Sequence, residues 1–167
     1  MSPKFVELQE LSHRCEKLRA GGKKIVATNG CFELLHVGHV RYLQAARALG
    51  DFLVVGLNGD RSVRELKGTG RPITTETDRA EILGALQCVD FVTIYPQMRA
   101  TQFLVAVRPA VYVKASDYSP ETLDEEERAV LKEIGAEIRL VPFETGYSTS
   151  GLIEQICNSG SLTKETT

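Results

Sequence analysis

A chain of 167 residues, 43% apolar and 25% charged, has the makeup of one soluble globular domain with a core of its own. Its net charge of −2 excludes the basic footprint of a general nucleic-acid binder. Four scattered cysteines without C-x-x-C or zinc spacing, and no signal-like or membrane-spanning apolar run, read as reduced thiols in a cytoplasmic protein.

Phe5, Leu8, Leu11, Cys15 and Leu18 recur at spacings of three and four. That period predicts an amphipathic helix over 4–20, stopped by Gly21-Gly22. Residues 1–22 therefore read as a helix packed on the domain that follows, and His13, off the apolar stripe, reads as a surface residue. A first strand over 24–28 runs into Asn29-Gly30-Cys31-Phe32-Glu33-Leu34-Leu35-His36-Val37-Gly38-His39. A helix over 39–49 follows, capped by Gly50. Phe52 to Leu57 is nearly all apolar, as a strand of a parallel sheet must be.

Asn58-Gly59-Asp60 reads as a turn and 62–67 as a short helix. Gly68-Thr69-Gly70-Arg71-Pro72 suits a lid over phosphates or an ordinary connection. A helix over 75–86, a strand over 91–94, a helix over 100–107 and a strand over 111–113 come next. Ser119-Pro120-Glu121 predicts a helix start, with Ser119 as N-cap, and Gly135 its end. The acidic run Asp124 to Glu127 reads as that helix's solvated face. A fifth strand over 137–141 precedes Gly146-Tyr147-Ser148-Thr149-Ser150, which opens a last helix over 149–157. The residues from 158 to 167 form a polar tail.

Alternating strands and helices predict an α/β fold, a Rossmann-like three-layer domain over 23–157 with a parallel sheet of about five strands. Ligands of such sheets bind beyond the strands' C-terminal ends. His36 and His39 lie there, three apart at a helix start, beside Gly38, which would let a ligand approach the backbone. A metal or a structural role would also use two histidines, but no further metal ligands are spaced nearby. The strand–turn–helix context favours a phosphate, because a helix N-terminus presents unpaired N–H groups and a positive dipole end. Lys67, Arg71 and Arg79 supply cations after the second strand. Ser148 and Thr149 suit a helix cap or a phosphate contact. Asp117 suits substrate hydroxyls, magnesium or a turn. The chain lacks a Walker loop, a G-x-S-x-G elbow and a G-x-G-x-x-G fingerprint, which disfavours P-loop kinases, serine hydrolases of that type and nicotinamide dehydrogenases.

The stretch from Thr28 to His39 resembles the signature of the cytidylyltransferase-like nucleotidyltransferases. Leu66-Lys67-Gly68, Arg71-Pro72-Ile73, Arg79 and Gly146 to Ser150 match later family motifs in order. Within the family, T-N-G-C-F, L-K-G-x-x-R-P-I and V-K-x-x-D-Y resemble the heptose 1-phosphate adenylyltransferase branch. Pro142 to Thr145 lacks the arginine that glycerol-3-phosphate cytidylyltransferases carry there. The resemblance covers 23–157 and has the look of a stand-alone form without a fused sugar kinase.

The resemblance implies transfer of AMP from ATP to a heptose 1-phosphate, giving ADP-heptose and pyrophosphate for lipopolysaccharide core synthesis. It implies His36, His39 and Lys67 as catalytic. The nucleotide contacts would be Asn29, Gly30, Cys31, Phe32, Gly38, Arg79, Gly146, Ser148 and Thr149. The sugar phosphate would meet Glu33, Arg71, Lys114 and Asp117. Mg2+ would accompany ATP, neither nucleic acid nor membrane would be a partner, and a homodimer is the family habit. Glu33 stands where the family usually has Asp, and Ala115-Ser116 where it usually has Gly-Gly; both bear on the sugar pocket. The alternatives are a cytidylyltransferase acting on another sugar, polyol or amino-alcohol phosphate such as glycerol 3-phosphate, and a non-catalytic nucleotide-binding module.

Overall fold

A computed structural model describes residues 2–115, 123–142 and 146–159. Among the described residues five strands form one parallel sheet: β1 (Ile25–Gly30), β2 (Phe52–Asn58), β3 (Phe91–Tyr95), β4 (Val111–Ala115) and β5 (Glu137–Val141). Their order is β3-β2-β1-β4-β5. The helices are α1 (Leu8–Ala20), α2 (Val37–Arg47), α3 (Asp60–Lys67), α4 (Glu76–Ala85), α5 (Thr101–Val107), α6 (Glu125–Ile134) and α7 (Thr149–Ser159). Among the described residues no helix is long and apolar enough to cross a membrane.

The sheet is covered on both faces, which makes the expected Rossmann-like three-layer α/β domain. Ile25, Ala27 and Val54 point to one side, where Leu11 and Cys15 of α1, Phe103 and Leu104 of α5 and Leu131 of α6 meet them. Val26, Leu53 and Val55 point to the other, against Tyr42 and Leu43 of α2 and Ala80 and Leu83 of α4. Side chains alternate along a strand, so a strand buried on both faces reads as an unbroken apolar run.

The N-terminal helix starts later than its periodicity suggests. Phe5 forms a parallel bridge with Val92, the Val6 N–H donates to the Val92 carbonyl (2.9 Å) and the Val92 N–H to the Lys4 carbonyl (2.9 Å). The first residues thus cover the open edge of β3, whose unpaired backbone groups would otherwise face solvent.

A second correction concerns α6. Its N-cap is Asp124, whose Oδ1 accepts the N–H groups of Glu126 (3.0 Å) and Glu127 (3.4 Å); the expected start at Ser119 lies outside the described residues. The acidic run is not simply a solvated face. Glu127 is buried and accepts the Ala100 N–H (2.7 Å), while Asp124 pairs with Arg99 (3.0 Å).

The order places a topological switch at β1. The chain passes from β1 through α2 to β2 on one side, and later lays β4 on the other. β1 pairs with β2 out to Gly30–Leu57, but its register with β4 is Val26–Val111 and Ala27–Tyr112. Past Ala27 the two strands part, and the crevice expected at a switch point opens between their C-terminal ends. Tyr42 of α2 pins its root, sharing a hydrogen bond with the Thr28 hydroxyl (2.7 Å) and donating to the Val113 carbonyl (2.9 Å).

Candidate active site

A cleft of about 460 Å³ occupies this crevice. Asn29, Gly30, Cys31, Phe32 and Glu33 form its floor, and His39, Lys67, Lys114 and Thr149 converge on it from four other elements. The sheet's C-terminal edge therefore gathers residues up to 120 positions apart in sequence, most of them flagged by motif alone.

His36 does not sit inside the helix. It is the N-cap of α2 in extended conformation, with φ −136° and ψ 170°. His39 lies in the first turn, and the two imidazoles stack with centroids 3.8 Å apart and planes at 28°. Burial lowers the His36 pKa. Burial, then the charges of His36 and Lys67, take His39 down to about 4. At neutral pH both rings are thus uncharged, each carrying one N–H donor at the positive end of a helix.

Gly38 makes room for this stack. A Cβ on Gly38 would lie 3.0 Å from His36 Nδ1 and 3.2 Å from the Tyr147 Cβ. The space that a side chain would fill holds the His36 ring, with the Tyr147 ring stacked 6.2 Å beyond it. Phe32, in the left-handed region at φ 42°, sets its ring 5.3 Å from His39 on the other flank. Burial raises the Cys31 thiol above its ordinary pKa, so it is not poised as a nucleophile.

Lys67 ends α3 and lines the cleft. Gly68 and Gly70 follow at φ +92° and +82°, conformations open to glycine. After them the loop is fastened rather than free. Arg71 makes a bidentate pair with Glu33, its Nε at 2.5 Å from Oε1 and its Nη2 on Oε2. The Ile73 N–H donates to Glu33 Oε1 (2.7 Å), and the Thr74 hydroxyl to the Glu33 carbonyl (2.7 Å). Burial raises the Glu33 pKa, but the Arg71 guanidinium and the Ile73 N–H outweigh it and hold the carboxyl below its ordinary value. Arg71, expected on the sugar phosphate, is thus engaged by Glu33.

Arg79, expected on the nucleotide, is buried among protein acceptors. It is 1% exposed and its guanidinium donates to the Thr74 carbonyl (3.1 Å), the Cys31 carbonyl (2.5 Å) and Asp60 Oδ1 (2.7 Å). It ties the motif turn to the loop and to α3 from beneath the cleft.

The Asn29 side chain sits where β1 and β4 part. Its Oδ1 accepts from the Tyr112 hydroxyl (2.5 Å) and Lys114 Nζ (2.8 Å), and its Nδ2 donates to Tyr95 Oη (2.8 Å). Ser148 caps α7, its Oγ accepting the Gly151 N–H (3.0 Å). Thr149 lines the cleft, and its hydroxyl meets the Leu34 carbonyl at 3.5 Å. Gly146 precedes them at φ +89°. Asp117 lies outside the described residues.

Sequence reading missed the cleft's other wall. Asn58 at the end of β2, Met98 and Arg99 after β3, and Asp124 and Glu127 at the start of α6 all line it. The available signal was position: each follows a strand's C-terminal end or opens a helix.

Comparison with known proteins agrees with this architecture. The cytidylyltransferase-like family profile matches residues 27–157. The chain is 47% identical over 156 residues to the bifunctional protein HldE of Citrifermentans bemidjiense, covering 93% of this chain and 32% of that one. It is 50% identical over 149 residues to HldE of Geotalea uraniireducens, covering 89% and 29%. For HldE of Helicobacter pylori J99 the values are 47% over 154 residues, 92% and 31%. The chain therefore spans about a third of the length of these relatives. Among solved structures, a lipopolysaccharide core biosynthesis protein from Thermoplasma volcanium superposes with a TM-score of 0.61 at 26% identity, covering 76% of this chain and all of that one.

Proposed function

The chain belongs to the cytidylyltransferase-like family, and from that premise we propose that it is a nucleotidyltransferase moving AMP from ATP to a heptose 1-phosphate. The observation that carries the reading is the His36–His39 stack at the N-terminus of α2, whose His39 lines a cleft with Lys67 and Lys114 on its walls, His36 standing behind it. A sugar-phosphate oxygen forms a bond to the α-phosphorus of ATP. The bond from that phosphorus to the bridging oxygen breaks, and pyrophosphate leaves with the electron pair. Such transfers need positioning and charge neutralisation more than a covalent residue. His36 and His39 donate hydrogen bonds to the charge that grows at the reacting phosphate. Lys67 holds the leaving phosphates, and the first N–H groups of α7 after Ser148 receive phosphate oxygens.

Among the described residues no three or more His, Cys, Asp or Glu side chains group to hold a metal. Mg2+ would come with the triphosphate, as a hard cation that keeps several waters and binds phosphate oxygens. As part of the substrate it would neutralise phosphate charge.

The choice of a heptose rests on the likeness of Thr28 to Phe32, Leu66 to Ile73 and Val113 to Tyr118 to that branch, and on the similarity to HldE. A cytoplasmic location and a homodimer complete the proposal. The test is pyrophosphate release with magnesium, ATP and β-heptose 1-phosphate, with CTP and GTP alongside. Release with ATP that falls about 10²–10³-fold in His36→Ala supports the reading. Release with CTP alone keeps the chemistry and overturns the nucleotide. Silence across nucleotides and a panel of sugar phosphates overturns the enzyme.

A further inference from the structure

Asn29 stands at the centre of a chain of hydrogen bonds that crosses four strands. Lys114 and Tyr112 of β4 donate to its Oδ1. Its Nδ2 donates to Tyr95 of β3, and Tyr95 donates to Asn58 Oδ1 of β2 (2.9 Å). Asn58 Nδ2 reaches the Ser62 hydroxyl (3.3 Å), which donates to the Gly59 carbonyl (3.0 Å). Both ends have a fixed sense, because an ammonium only donates and a carbonyl only accepts. Every proton between them must therefore point from Lys114 towards Gly59. The Asn29 amide has one orientation that satisfies this order. Turned over, it would set its NH2 against the Lys114 ammonium and the Tyr112 hydroxyl.

Tyr95 is fully buried, with its ring stacked 5.9 Å from Phe103, so it cannot touch a ligand itself. Lys114 does line the cleft. It also borders a smaller recess of about 130 Å³ with His39, Tyr42 and Ala115. Its ammonium is held on two sides, by Asn29 Oδ1 and by the face of Tyr112 at 5.3 Å. This lies where the β1–β4 ladder has ended and the backbone no longer fixes the spacing.

We propose that Asn29 and Tyr95 are positioning residues that hold the Lys114 ammonium at the place where a substrate phosphate binds. Asn29 then meets the nucleotide through its backbone alone, since its side chain is spent on this relay. The proposal rests on the transferase reading for the identity of the phosphates, not for the relay.

The test is a double-mutant cycle of Tyr95→Phe and Lys114→Ala, read as KM for ATP and for the sugar phosphate, with kcat and melting temperature beside them. Lys114→Ala is expected to raise one KM, and Tyr95→Phe to raise that same KM about five- to tenfold with kcat within about twofold. In the Lys114→Ala background, Tyr95→Phe is expected to add nothing, because it acts through Lys114. Tyr112→Phe should enter the cycle in the same way, which keeps the test open if Lys114→Ala folds poorly. Unchanged KM values in Tyr95→Phe, or effects that multiply, overturn the relay. A wild-type protein that releases no pyrophosphate overturns the transferase reading instead. The same cycle is then read in the dissociation constants of magnesium ATP and of the sugar phosphate, where coupling absent from both again overturns the relay.

Discussion

Glu33 grips Arg71 with both carboxylate oxygens while the same side chain takes the Ile73 N–H. Its side chain is 1% exposed and that of Arg71 19%. The two lie 38 positions apart, on the motif turn after β1 and the loop after α3. The pair therefore fastens the stretch that follows Lys67 to the stretch that precedes His36. Whatever angle the loop takes, it takes relative to Glu33. The Glu33 carboxylate reaches the guanidinium and the backbone together.

Breaking this pair from one side leaves a carboxylate buried without its counter-ion. Arg71→Met should cost about 3 kcal/mol, at the low end for a buried pair because Arg71 is partly exposed. Glu33→Gln/Arg71→Met should recover much of that loss, since Gln keeps an acceptor for Ile73 and removes the stranded charge. Urea unfolding of the two variants beside wild type checks it. A double variant as weak as the single one would mean that the pair's worth lies elsewhere.

Stability should fall with acid in two separable steps. The histidines have lowered pKa values in the fold, so the unfolded chain binds more protons between about pH 6.5 and 4. Their contribution is complete above 6.5 and is lost as the pH drops through that window. Glu33 has a carboxyl lowered from 4.5, so its contribution is complete above 4.5 and is lost below it. Unfolding free energies from pH 7.5 to 3.5 should show the upper step flatten in His39→Asn and the lower step flatten in Glu33→Gln.

The parts of the fold that sequence could show are those set by local pattern. The runs Ile25-Val26-Ala27 and Phe52 to Leu57 could be little else than buried strands, and His36-x-Gly38-His39 after the first of them pointed to the end of the sheet where His39 lines the cleft. What pattern could not show depends on partners far along the chain. An arginine at position 79 of an amphipathic helix looks solvent-facing until Cys31, Asp60 and Thr74 arrive to receive its three groups. Glu127 looked like one more surface acid because its acceptor role needs the Ala100 N–H from another helix. The side-chain partners of Asn29 were equally out of sight, because Tyr95 and Tyr112 reach it from β3 and β4. Phe5 looked helical because the edge of β3 that it covers comes 87 residues later.

Arg79 should behave as scaffold. Arg79→Met leaves the Cys31 and Thr74 carbonyls without their donor and Asp60 without its cation. The loss should be about 3–5 kcal/mol, and Arg79→Lys should recover little, since one ammonium cannot span three acceptors. Denaturant midpoints measure the loss. Activity per folded molecule should fall far less than in His36→Ala; an equal fall with unchanged stability would return Arg79 to the nucleotide.

Gly38→Ala separates geometry from stability at the stack. Alanine favours a helix over glycine by about 1 kcal/mol, and position 38 lies in the first turn of α2. The new Cβ would crowd the His36 ring at 3.0 Å, so the ring must shift by a few tenths of an ångström. The helix gain offsets the crowding, and the melting temperature should stay within about 3 °C of wild type. The rate should not stay. Donors aimed at a reacting phosphate lose their effect when displaced by a fraction of an ångström, so kcat should fall about tenfold with KM for ATP little changed. A rate that survives Gly38→Ala while His36→Ala abolishes it would mean that the site tolerates a displaced ring. A rate lost together with stability would mean that Gly38 is needed for packing rather than for aim.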